Sequence, residues 1–136
     1  MVITTIPHDQ WKTFARQFGR QHRGWRVTIE AVDSRLADRH PQPSEPPGRL
    51  FVREGVLREV SVEEEGEVRR FRMVVGEGPD LLMHRTGRPL LVQFEATEAG
   101  AHQGLRIEDD AGTTTRLRFR TPADPEVIDG IGAAEW

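Results

Sequence analysis

The sequence predicts an α+β fold: one N-terminal helix packed on a mainly antiparallel, strongly twisted sheet of six or seven strands, flat or curled into a partly open barrel. Three observations carry this expectation. A single amphipathic stretch of helical period opens the chain, the period switches to two at Trp25, and short alternating runs separated by glycine turns follow. Strands never alternate with helices, which disfavours a doubly wound sheet.

Within the first stretch Trp11, Phe14, Ala15 and Phe18 recur at i, i+3, i+4 and i+7, placing them on one side of a helix, while Lys12, Arg16 and Arg20 fall opposite. Pro7 or the residues just after it start this helix, and Gly19 or Gly24 end it. Trp25, Val27, Ile29 and Ala31 then alternate with Arg26, Thr28 and Glu30, as in a half-buried strand. The segment from Asp38 to Gly48 holds four prolines in eleven residues, so it reads as an exposed loop. Further strands are expected at Leu50 to Arg53, Val56 to Val62, Val68 to Val75, Leu90 to Glu95, Leu105 to Glu108 and Thr113 to Arg120. Turns fall at Gly55, Gly66, Gly76 to Pro79, Gly87, Gly100 and Asp110-Ala111-Gly112, where Asp110 is expected to supply local hydrogen bonds. The expected core joins Trp11, Phe14 and Phe18 to Trp25, Val27, Ile29, Val60, Phe71, Met73, Val75, Val92, Phe94, Leu105, Ile107, Leu117 and Phe119. Residues 1–122 form one domain, and 123–136 a C-terminal tail that docks or stays mobile.

A chain of 136 residues can bury an adequate core without staples. It has no cysteine, hence no disulfide, thiolate nucleophile or cysteine-type zinc site, and a cytoplasmic location is expected. No secretory signal or membrane-spanning stretch is read in it. Net charge is −3, against the basic field of a nucleic-acid binder. Lys12 is the only lysine, which excludes a P-loop, and tyrosine is absent.

Several blocks resemble an uncharacterised family of small bacterial proteins, a domain of unknown function. They are Ile6-Pro7 with Trp11, Arg20-Gln21-His22-Arg23-Gly24-Trp25 with Val27-Thr28, the Gly76 to Asp80 turn, and Asp110 to Arg120. The resemblance covers most of the chain and implies a shared fold but no activity. Similar proteins tend to carry two histidines where this chain has only His84 between Leu81 and Thr86, which argues against a paired-histidine ligand set; the proline-rich loop also departs from the family.

Candidate chemistry is sparse. His8, His22, His40, His84 and His102 show no metal-binding spacing, so neither metal nor cofactor is expected. His22 lies near the aromatic side of the helix, where a buried imidazole would bond a backbone carbonyl or carboxylate. Lys12, Arg16, Arg20 and Arg23 form a basic face that could meet phosphates or an acidic partner; its ordinary reading is a solvated face, since no aromatic lies among them to stack a base. Arg116, Arg118 and Arg120, like Arg70 and Arg72, alternate on strands and could pair with Glu63, Glu65 and Glu67 or line a groove on a concave side. No serine lies in a Gly-x-Ser-x-Gly elbow, and Gly76-x-Gly78 lacks the setting of a dinucleotide loop. The expected function is a non-enzymatic binding or accessory module that contacts another protein or a second copy through an open sheet edge or the helix surface. One alternative is a ligand-binding protein or small enzyme with a pocket between helix and sheet, using His22, Arg23 or His84. Another is an electrostatic nucleic-acid binder. The candidate binding residues are Arg20, His22, Arg23, His84, Arg116 and Arg118.

Overall fold

The computed structural model describes residues 2–35 and 49–123. The proline-rich segment and the tail beyond Ala123 lie outside the described residues, and with them the expectations placed there. The elements are β1 (Val2–Thr5), a 3₁₀ turn (His8–Gln10), α1 (Trp11–Gln21), β2 (Arg26–Asp33), β3 (Arg49–Glu65), β4 (Val68–Glu77), β5 (Asp80–Arg85), β6 (Pro89–Ala96), β7 (His102–Asp109) and β8 (Thr113–Ala123). The strands form one eight-stranded sheet, ordered β1-β6-β7-β8-β2-β3-β4-β5, with every neighbouring pair antiparallel.

The strand count differs from the expected six or seven for physical reasons. Leu50 to Arg53 and Val56 to Val62 are one strand, because Gly55 does not turn the chain: it pairs with Val27 inside β3. β1 and β5 are edge strands, and a strand without a buried face needs no alternation. All four residues of β1 are exposed, and so are Leu81, Leu82 and Met83 of β5. Ala123 is the last residue of β8 and pairs with His102.

The helix fixes how the sheet bends. Trp11 meets Phe71 of β4 with ring centroids 6.0 Å apart, Phe14 meets Phe94 of β6 at 6.3 Å, and Phe18 stacks on Phe119 of β8 at 5.8 Å. Four strands separate β4 from β6 in the sheet, yet one eleven-residue helix touches both. The sheet therefore curls around α1. The link between β5 and β6 shows the same bend, since residues 86–88 bring the chain from one edge to the strand beside the other, a reach of roughly 14 Å at most. The sheet nonetheless stays open, as β1 pairs only with β6 and β5 only with β4.

Thr86 and Asp109 clasp the gap. The Thr86 amide donates to the Phe71 carbonyl at 2.9 Å and its hydroxyl accepts from the Phe71 amide at 3.1 Å, while the Gly87 amide donates to Asp109 at 3.3 Å. The other Asp109 oxygen accepts from the amides of Ala111 and Thr113 at 2.9 and 3.1 Å. Asp109, not Asp110, thus organises the β7–β8 turn.

Nearly all of the expected core is buried: Phe18, Val27, Phe71, Met73, Val92, Leu105, Ile107 and Leu117 are fully enclosed, and Phe94 is half-buried against them. Gly24, at φ +91°, ends the helical segment, and its amide donates to the Leu57 carbonyl of β3. Gly19 has a different role from the cap expected of it. A Cβ there would lie 2.6 Å from the Val60 amide nitrogen, so only glycine lets α1 rest directly on β3. No described helix is long and apolar enough to cross a membrane.

Gly19→Ala should cost about 1–3 kcal/mol, because its methyl meets backbone that cannot rotate away. Urea unfolding monitored by tryptophan fluorescence measures it; an unchanged midpoint would contradict the close helix–strand approach.

Candidate functional site

The groove begins with the spacing of cations on α1. Lys12, Arg16 and Arg20 lie four residues apart, hence along one helix face, and Arg23 continues the row in the following turn. All four are exposed, because Trp11, Phe14, Ala15 and Phe18 occupy the opposite face. Arg20, in the last turn, also complements the negative end of the helix dipole.

A fifth cation comes from β3. The β3–β4 register slips between Leu57, opposite Val75, and Glu59, opposite Val74, so Arg58 is the extra residue of a bulge. The slip restores Val60 to the core and turns Arg58 outward beside the helix. Together α1 and this part of β3 form an open groove of about 390 Å³, walled by Lys12, Arg16, Arg20, Arg23 and Arg58 and floored by Gly19, Val60, Ser61 and Val62. Glu59 also lines it, but its carboxylate is held 3.3 Å from the Arg72 guanidinium.

The electrostatics of this row differ from those of the sheet. Arg85 bonds Glu63 at 2.7 Å, Arg106 bonds Glu108 at 2.9 Å, Arg120 bonds Glu54 at 3.2 Å, and Arg72 also reaches Glu63 at 3.4 Å. The Arg85 and Arg72 guanidiniums hold the Glu63 carboxyl below its ordinary range. Among the described residues, none of the five groove cations has an acidic side chain within ion-pair distance.

The remaining candidate residues go elsewhere. Phe119 packs on the helix, so Arg116 and Arg118 project from the opposite face of the sheet and line no concave groove. Arg116 faces Glu30 at 3.7 Å, rather than Glu63, Glu65 or Glu67. His84 lies against Phe51 with ring centroids 3.9 Å apart; burial, reinforced by the charge of Arg49, lowers its pKa.

His22 closes α1. Its Nδ1–H donates to the Phe18 carbonyl at 2.8 Å, which leaves Nε2 as the acceptor from Nδ1–H of His102 at 2.7 Å. Phe18, Trp25 and Phe119 surround the His22 ring at 4.4, 4.6 and 4.6 Å, and Phe94 meets His102 at 4.9 Å. The carbonyl partner follows from the sequence, but His102 does not. Strict alternation would send His102 outward with Arg106; a register shift between His102 and Gly104 turns it inward opposite Ala96. Arg58 is likewise visible only through a break in pattern, the three-residue step from Leu57 to Val60. No group of three or more metal-ligating side chains occurs among the described residues.

The sequence matches no family model, and comparisons with curated proteins and with solved structures give no match either.

Desolvation lowers the His22 pKa to about 3, opposed by the Phe18 carbonyl and assisted by His102. An unfolded histidine titrates near 6.5, so stability is full above that pH and falls as pH drops, because the unfolded chain gains a proton that folded His22 refuses. At pH 5 the expected loss is about 2 kcal/mol. Urea midpoints between pH 7.5 and 5 should decline in the native protein and much less in His22→Gln; equal slopes would show that His22 is not held neutral.

Proposed function

We propose that this chain is a non-enzymatic binding or accessory module that docks an anionic partner on the groove between α1 and β3. The observation that carries this reading is the convergence of five cations that have no acidic partner among the described residues, in a molecule of net charge −3 whose described sheet arginines are largely paired. A cation row on a rigid helix raises local anion concentration and steers association. Filling of the helix–sheet interface by Phe14, Phe18, Phe94 and Phe119 supports a surface site over a pocket there. The separate surroundings of His22 and His84 support it too. Kinship with the family of small bacterial proteins that the Arg20 to Trp25 block resembles, and a cytoplasmic setting, belong to the same proposal. The co-occurrence of the Arg20 to Trp25 and Asp110 to Arg120 blocks in one chain is what suggests the kinship, and the cysteine-free composition suits the setting.

Arg16→Glu/Arg20→Glu takes the net charge from −3 to −7, two units per reversal, and so does the control Arg53→Glu/Arg88→Glu at exposed sites away from the groove. On a sulfonated matrix at neutral pH and low salt, the native protein and the control should be retained and the groove variant should flow through. Equal behaviour of the two variants would attribute retention to net charge and remove the reading.

A further inference from the structure

We infer that the groove takes an extended acidic peptide segment of another protein, with carboxylates at every second residue and apolar side chains between them. This inference rests on the groove being a docking surface and adds the chemistry of what docks.

Two features select the occupant. The first is spacing. Successive cations at Lys12, Arg16 and Arg20 are separated by four residues, about 6 Å along a helix axis. Side chains on one side of an extended chain repeat every ~6.6 Å, so carboxylates at alternate residues keep step with the row over its length.

The second is the floor. Val60 is buried in the core, but Val62 is only partly buried and lines the groove beside the aliphatic stems of its cations, so the groove offers some apolar surface beside charge. An alternating chain presents acids to one side and apolar groups to the other, which answers both surfaces at once. A nucleic-acid strand would satisfy the cations, but no aromatic side chain among the lining residues offers its bases a stacking platform.

Fluorescence anisotropy with labelled peptides tests the assignment on the full chain at low salt. The probes are a decapeptide alternating Asp and Val, one alternating Asp and Ser, and a ten-nucleotide oligothymidine. The Asp-Val peptide should bind about tenfold more tightly than the Asp-Ser peptide, the increment expected for burying one to two small apolar side chains. It should also lose at least about tenfold in Arg16→Glu/Arg20→Glu, with steep salt dependence. Equal binding of both peptides overturns the inference, because the floor then contributes nothing; tighter binding of the oligonucleotide overturns it in favour of nucleic acid. If no probe binds while the native protein is still retained by the anionic matrix, the occupant is wrong and the docking surface stands. Loss of both removes the two readings together.

Discussion

The packing of Phe18 into the hollow of the sheet is the contact on which the rest of this molecule depends. Its ring is fully buried and touches Phe94 of β6, Phe119 of β8 and the His22 imidazole at the end of its own helix. Truncating such a side chain to alanine typically costs about 3–5 kcal/mol, a large part of the stability of a domain this size. Trp11 and Phe14, on the same helix face, meet Phe71 of β4 and Phe94 of β6, strands with four others between them, so the helix can reach both only if the sheet bends around it. The curl, the short β5–β6 link and the Thr86–Asp109 clasp follow from that seat.

The same seat creates the outer surface. With the aromatic face of α1 committed to the hollow, Lys12, Arg16 and Arg20 must face out, and the missing side chain at Gly19 lets them flank β3 closely enough to make a groove. Cross-strand register gives the sheet arginines carboxylates on neighbouring strands, as Arg72 and Arg85 find Glu59 and Glu63. The basic row has no acid three or four residues away on its own helix, since Trp11–Gln21 holds none. Among the described residues no acid relieves this like charge, which is a cost to folding.

The helix, the Trp25 switch and most of the core were legible in the sequence because they rest on strong periodicity joined to burial. Trp11, Phe14 and Phe18 could belong only to a buried helix face, and Leu117 and Phe119 only to an inward strand face. β1 and β5 were not legible, since an edge strand with exposed Val2, Ile3, Leu81 and Leu82 leaves no alternation to read. Two bulges hid the rest. A one-residue slip exchanges the faces of a strand, and slips of this kind turned Arg58 toward the groove and His102 toward His22. The carbonyl partner of His22 was accessible because it is local, one helical turn back, whereas His102 lies 80 residues away.

Packed through Trp11, Phe14 and Phe18, α1 is locked into the sheet, so that its cations form a fixed array instead of a mobile one. Native-state hydrogen exchange measures this directly. The amides of Phe18 to Gln21 should open with the same free energy as those of Leu105 and Leu117 in β7 and β8, as one cooperative unit. Exchange of the helix amides at a free energy several kcal/mol below that of the sheet would contradict the account, because the groove wall would then come and go while the sheet remained folded.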